Sequence, residues 1–416
     1  MQVQRIDLVN PDNYVDGVPF DWFDTLRREA PVFWHEEPPP NRGFWAVTRY
    51  DDLVEVHRDW RTYSAAEGFV MLEELEEEQL APRRSLIETD PPRHSHLRNL
   101  VSRRFTKRAV EAYEGYVRDL ARSVVDDALE KERFDFVTEI SRLLPMRALC
   151  AIMGIPVEDA DHLVQLADAM VGHADPEYTE TVIDRDDTHA YRDLPFRSPA
   201  GAEVFAYADL LREQRRRDPR EDVMTVLAVD DVEGVPLTDP EYRNYFSLLV
   251  VAGNETTRHT ISHGMLALME DREQLDRLRD DPALAPRAAE EMIRWATPAM
   301  HFRRTAMRDV ELRGQTIHRG DKVVTWYISA NRDGLVFDDP YRFDVGRWPN
   351  PQVAFGPHGA SLHFCLGADL ARMEVAILFQ ELLPRLRSIE LGGKVERLRS
   401  NFHNGIKHMP VRVTTT

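Results

Sequence analysis

Residues Val353 to Arg372 read VAFGPHGASLHFCLGADLAR, a glycine-rich loop running into an amphipathic helix that starts near Gly367. A thiol just before a helix N-terminus has its thiolate favoured by unpaired N–H groups and by the helix dipole. Cys365 is therefore a candidate nucleophile served by His363, a candidate metal ligand, or an inert core cysteine. The loop alone leaves all three open.

Upstream, VVAGNETTRHTISHGMLALM (Val250 to Met269) sits in a helical pattern spanning about 239–270, roughly 45 Å at 1.5 Å per residue. Gly253 in its interior costs about 1 kcal/mol relative to alanine, so close packing or a functional reason is expected. Thr256 has a hydroxyl that can rotate onto the i−4 carbonyl. His259 and His263 share one helix face at a zinc-compatible spacing, but Thr260 stands where a zinc-protease motif places its glutamate. Glu291 and Arg294 form a Glu-x-x-Arg pair, which on a surface would contribute only about 0.2–0.5 kcal/mol. PYRF supplies Pro340, Arg342 and Phe343, and ETDPPRHSHLRNLV puts His94 and Arg98 at i, i+4.

The periodicity fits this mostly helical reading. Apolar residues recur at i, i+3, i+4 and i+7 near 110–129, 205–217, 239–269, 285–295 and 367–386. Alternation is confined to 43–48, 310–312, 322–326 and the tail from Val411. No Pro or Gly-rich linker divides the chain, so one large domain over 1–416 is expected. Lys and Arg number 53 against 72 Asp and Glu, a net charge of −19, which disfavours nucleic acid as a partner. Two cysteines make no disulfide framework, which points to the cytoplasm. No signal peptide or apolar span of membrane length is evident. The acidic run at 73–78 reads as a solvated helix face, and the polar 175–199 stretch as a lid.

The ordered set of His-x-x-x-Arg, Ala-Gly-x-Glu-Thr, Glu-x-x-Arg, Pro-x-Arg-Phe and the cysteine loop resembles the cytochrome P450 haem-thiolate monooxygenases, from about residue 20 to 412. The resemblance implies a mainly α fold with a small β portion, a single helical domain enclosing haem b. Cys365 would be the iron ligand, flanked by Phe355 and Gly367; a thiolate ligand donates electron density to iron, and amides around the sulfur tune it. Ala252 and Gly253 would face the haem, Thr256 would hydrogen-bond bound oxygen, and Glu255 would relay protons to it. His94, Arg98, Arg304 and His363 would meet the propionates, with His96 and Arg303 left outside. Glu291, Arg294 and Arg342 would form a buried structural network.

The loop departs from the family pattern. Between Gly356 and His363 lie six residues, Pro357 to Leu362, where the family has three, and Ser361 replaces a glycine. Either Phe355 keeps its place beside the sulfur on a bulged loop, or His358 takes it.

The resemblance further implies hydroxylation of an apolar small molecule by O2, with electrons from NAD(P)H through a ferredoxin reductase and a ferredoxin, by a cytoplasmic monomer. Bacterial hydroxylases of sterol side chains, branched isoprenoids and fatty acids look most similar. Phe69, Val70, Met71, Leu72, Leu249, Ala252, Ala299, Met300 and Phe402 are the expected substrate contacts. Residues 93–108 carry six Lys or Arg and no acid; Arg103, Arg104, Lys107 and Arg108 would attract an acidic ferredoxin. A peroxide-driven peroxygenase and a haem protein that senses ligands without turnover are the alternatives, the pair Glu255 and Thr256 favouring the monooxygenase.

Overall fold

The computed structural model describes residues 3–39, 41–75, 80, 83–172, 174–179, 194–229, 231–232 and 235–416. The end of the acidic run, 76–78, and the centre of the expected lid, 180–193, lie outside them.

Helices dominate: α1 (Arg93–Ser102), α2 (Lys107–Glu111), α3 (Glu114–Leu129), α4 (Leu143–Met153), α5 (Ala160–Val171), α6 (Pro199–Arg217), α7 (Asp239–Glu270), α8 (Ala285–Ala296) and α9 (Ala368–Leu382). The two larger sheets are built from β1 (Val32–His35), β2 (Phe44–Val47), β3 (Tyr63–Ser64), β4 (Arg133–Asp135), β5 (His301–Ala306), β6 (Lys322–Trp326), β7 (Leu386–Leu391) and β8 (Pro410–Thr415).

The helix α7 is fixed at its start by a capping box. Thr238 Oγ1 accepts the Glu241 N–H at 3.4 Å, and Glu241 Oε2 accepts the Thr238 N–H at 2.9 Å. Its two halves then enter different cores. Tyr242, Tyr245, Phe246, Leu249 and Val250 pack with α4, α5 and α6, whereas Ile261, Met265 and Leu268 pack with α3, α8 and α9. Between them Ala252 is exposed and Val251, Gly253 and Thr256 are half-buried, so the middle of an otherwise buried helix borders a cavity.

The main sheet runs β1-β2-β6-β5-β3. β6 lies parallel to β2 with Val324 opposite Ala46, and antiparallel to β5 with Val324 opposite Arg303. Because strand side chains alternate, Arg303 and Arg304 leave β5 on opposite faces. A second sheet, β7-β8-β4, pairs Ile389 with Val413 and Val411 with Phe134.

Three expected helices differ in extent, and the first is α6, which begins at Pro199, ahead of the 205–217 pattern. The 110–129 pattern is broken between α2 and α3, because Val110 belongs to one core and Val117, Ala121 and Val124 to the other. A straight helix cannot serve both. The 367–386 pattern ends at Leu382, where Pro384 sits in a 3-10 turn and the chain enters β7. Helices α4 and α5 were not expected.

Candidate active site: a cysteine loop facing the middle of a buried helix

The cysteine loop turns twice through left-handed glycines, Gly356 at φ +85° and Gly359 at φ +71°, where a side chain would be strained. The extra residues form one compact turn, with the Ala360 and Ser361 N–H groups donating to Pro357 O at 3.2 and 3.0 Å. Ser361 Oγ accepts the His363 N–H at 3.1 Å. Past this turn the chain returns to register: the Cys365 N–H donates to Phe355 O at 2.8 Å. Phe355 and Cys365 both face the cavity. His358 is exposed and packs edge-on against Phe364, rings 5.1 Å apart. Of the two arrangements open at the sequence level, the bulged loop with Phe355 beside the sulfur is the one adopted. Burial pushes the Cys365 thiol up, opposed by the Gly367 N–H and by Arg98 and Arg372.

Across the cavity stands α7. Thr256 Oγ1 donates to Ala252 O at 2.9 Å, the i−4 contact expected. A Cβ on Gly253 would meet Leu149 Cδ2 at 2.9 Å, so close packing of α4 explains the glycine. Ala252, Gly253 and Thr256 line the cavity and Glu255 does not. Its carboxylate is turned into the protein: Oε2 accepts from Arg258 Nη2 at 2.5 Å and Oε1 from Asn254 Nδ2 at 3.3 Å. His259 and His263 are tied to the backbone of the C-terminal segment. His259 Nδ1 accepts the Ile406 N–H at 3.3 Å, and His263 Nε2 lies 3.1 Å from Asn404 O. Burial pushes both well below the usual imidazole range. Their spacing serves to anchor the helix.

One end of the cavity gathers cations and imidazoles. His94 and Arg98 from α1, Arg304 from β5 and His363 from the loop all line it. The His94 and His363 rings are 4.3 Å apart, and all four of their nitrogens are buried without a hydrogen-bond partner. Burial pushes His94 down to about 4 and His363 well below its usual value. Arg98 and Arg304 have no ion-pair partner among the described residues; Arg304, 5% exposed, spends Nη1 on Arg303 O at 2.7 Å. An unsatisfied buried polar group costs about 1–3 kcal/mol, so such a concentration calls for an anionic group. Two carboxylates would satisfy it. Arg303 faces away and pairs with Glu74 at 3.2 Å, outside the cavity as expected.

The remaining wall is apolar. Phe69, Val70, Met71, Leu249, Ala252, Ala299 and Phe402 line it, joined by Phe196, Ile293 and Phe302. Leu72 and Met300 do not. Both side chains are buried instead in a core shared with Phe44 and Trp326, which draws them away from the cavity. Sequence reasoning also missed Glu374, which is 1% exposed, lines the cavity, and leaves Oε1 without a partner. Burial pushes its carboxyl well above the usual range. The available signal was an acid at i+4 on the apolar face of α9, between Leu370 and Leu378.

The structural network needs one correction. Glu291 and Arg294 form a fully buried bidentate pair, both bonds 2.7 Å, but Arg342 is exposed and contributes only its carbonyl, to Arg294 Nη2 at 3.3 Å. The third arginine is Arg347, whose Nε donates to Glu291 Oε1 at 3.1 Å. A turn after Asp339, at φ +45°, carries the Arg342 side chain outward. Arg347 reaches back inward and also binds the carbonyls of Asp338, Asp339 and Arg342.

Comparison with known proteins agrees with this geometry. The family model described as Cytochrome P450 matches residues 34–399. The methyl-branched lipid omega-hydroxylase of Mycobacterium tuberculosis is 40% identical over 410 residues, covering 96% of this chain and 91% of that one. The steroid C26-monooxygenase of Rhodococcus jostii is 36% identical over 99% of this chain and 85% of its own. Among solved structures, cytochrome P450 CYP268A2 of Mycobacterium marinum in complex with pseudoionone superposes with a TM-score of 0.89 at 38% identity, covering 98% of both chains.

Proposed function

This chain belongs to the cytochrome P450 family, a monooxygenase family that binds haem through a cysteine thiolate, and we propose that it hydroxylates an apolar steroid, terpenoid or lipid using electrons delivered by a ferredoxin. The observation that carries the reading is the cavity itself, with a thiol on one wall, a Thr hydroxyl on the other and a pocket of unpaired donors at one end. Haem bound there supplies an iron that activates dioxygen, so that one oxygen atom enters a C–H bond and the other leaves as water.

The residues fit that group. Cys365 is its ligand, with the Gly367 N–H on the sulfur moderating electron donation. His94, Arg98, Arg304 and His363 take the propionates, replacing unsatisfied donors by charge-assisted hydrogen bonds. Thr256 Oγ1 exchanges its bond to Ala252 O for one to oxygen or water in the cavity, and Glu255 is the acid from which that hydroxyl is resupplied with protons. Phe69, Val70, Met71, Leu249, Ala299 and Phe402 hold the substrate and exclude water, which suits a saturated, branched skeleton with little to hydrogen-bond.

Electron delivery is assigned to the basic face. Arg103, Lys107 and Arg108 are exposed, Arg104 is half-buried, none has an ion-pair partner among the described residues, and α2 packs on α9, the helix that follows Cys365. An acidic ferredoxin docked there would approach the thiolate side. The proposal further takes residues 1–416 as one haem-enclosing domain working as a cytoplasmic monomer. Among the described residues no helix is long and apolar enough to cross a membrane. Turnover with NADH, ferredoxin and reductase, compared with turnover by hydrogen peroxide, tests the reading: product only with peroxide would make it a peroxygenase, and no product under either would leave ligand sensing.

A further inference from the structure

Residues 67–74 carry three cavity residues, Phe69, Val70 and Met71, yet belong to no helix or strand. They are held from β5 and β6. The Arg303 N–H donates to Val70 O at 2.9 Å, and Thr305 Oγ1 donates to Glu67 O. The Arg303 side chain does more. Its guanidinium lies against Gly68, where a Cβ would come within 2.6 Å of Nη2, and its Nη1 donates to Glu73 O at 3.1 Å and to Glu74 Oε2 at 3.2 Å. One side chain thus grips the segment on both sides of the three cavity residues. Glu74 in turn joins two strands: its Oε1 lies 3.0 Å from Lys322 Nζ on β6, and Lys322 is also paired with Glu37. Leu72 completes the attachment in the core that holds Val324 and Trp326.

The charges are costly where they stand. Arg303 is 7% exposed and Lys322 3%, and a buried ion pair is often no more stabilising than apolar residues of the same volume. What the cluster provides is a fixed position for a segment without regular structure, whose ordering costs about 1–2 kcal/mol per residue in backbone entropy. Alternation along β5 divides two duties. Phe302 and Arg304 line the cavity, while Arg303 and Thr305 hold the loop. We propose that Arg303, through its ion pair with Glu74, is the positioning residue that sets the place of Phe69, Val70 and Met71 and so selects which apolar skeletons the cavity accepts. Glu73 and Glu74, which open the acidic run, serve here as attachment points outside any helix. Partial burial raises the Glu74 carboxyl, but Arg303 and Lys322 outweigh it and hold it below its usual value, so the clasp stays charged at neutral pH.

The inference rests on the reading that these three residues hold the substrate, and the experiment tests the two apart. Two haem-iron ligands serve as probes of the holoenzyme: clotrimazole, whose three aryl rings fill space around the iron, and imidazole, which needs little beyond the iron itself. Dissociation constants are read from the Soret shift. A wall free to move loses van der Waals contact with a bulky ligand. Glu74→Gln, at a half-exposed carboxylate, is therefore expected to weaken clotrimazole several-fold, and Arg303→Gln to weaken it further. Imidazole affinity and the reduced carbon monoxide spectrum should not change. The double variant should be no weaker than Arg303→Gln alone, because both residues act through one contact, and Arg303→Lys should recover part of the affinity. Equal losses for both probes, or none for either, would overturn the clasp. Phe69→Ala separates the two readings. Were clotrimazole weakened by Phe69→Ala but by neither Glu74→Gln nor Arg303→Gln, the role of Arg303 would fall and the cavity wall would stand. Indifference to Phe69→Ala would overturn the wall, and the inference with it. Should Arg303→Gln not fold, Glu74→Gln decides alone.

Discussion

At the residue scale the chemistry concentrates on a few atoms. Cys365→Ser should leave a folded protein whose reduced carbon monoxide complex lacks the red-shifted band of thiolate-ligated haem; retention of that band would remove Cys365 from the iron. Thr256→Ala deletes the Oγ1 now resting on Ala252 O and should uncouple the cycle, so that NADH consumption persists while most of the reducing power appears as peroxide. Unchanged coupling would dismiss the hydroxyl. The third arginine can be decided by stability. Removing Arg294 leaves Glu291 buried and short of its bidentate partner, at a cost of about 3–5 kcal/mol. Arg342→Ala should fall within about 0.5 kcal/mol, because that side chain is exposed, and Arg347→Ala should cost more than Arg342→Ala. Denaturant midpoints of the three variants would reverse the assignment if Arg342 proved the costlier of the two.

At the element scale, α7 is held by what crosses it. Its N-terminal half packs against α4 to α6, its C-terminal half against α3, α8 and α9, and its two histidines bind the C-terminal segment. The segment following α5 is fastened to the same end of the chain. His408 lies between Asp135, at 2.8 Å, and Glu177, at 2.6 Å, and Lys407 reaches Asp175 and Glu177. Hydrogen bonds to the two carboxylates outweigh burial and raise the His408 pKa above 6.5. A raised histidine favours the folded state most when charged. Its stabilisation is complete below about 6.5 and fades as pH rises through the folded value, and partial exposure keeps it small. Melting temperature should therefore decline over that window, and His408→Gln should flatten the decline; an equal slope in both proteins would show the latch to be inert.

Over the whole molecule the net charge of −19 conceals an uneven distribution. The basic run from Arg93 to Arg108 lies within an acidic surface, and an acidic electron donor would be steered to it and repelled elsewhere. Replacing Arg103, Arg104, Lys107 and Arg108 together by glutamine should slow reduction by ferredoxin by about tenfold or more at low salt and weaken its ionic-strength dependence, while the carbon monoxide spectrum stays unchanged. Undiminished reduction would place the donor elsewhere. Periodicity and spacing were enough to locate α7, α8, α9, β6 and the loop before α9, since these are set by local pattern and by turn chemistry. Cys365, Thr256, His94, Arg98, Arg304 and His363 were legible through the resemblance of their ordered motifs to those of the family. Which way a side chain turns was not. Leu72, Met300 and Arg342 are chemically suited to the places first assigned to them, yet each leaves the chain on the other side. Asp168 looks like an ordinary surface acid until the fold buries it, and Glu374, though placed on the apolar face of α9, shows its isolation only once the cavity beside it is formed. Helix content and the order of elements come from local physics, which a linear sequence records, and the motifs that carry the family resemblance are written in it directly. The pairing of Asp168 with Arg258 and Glu255, the place of Phe355 after a lengthened loop, and the four unpaired imidazole nitrogens at one end of the cavity depend on segments far apart in sequence being packed together, and only tertiary structure decides them.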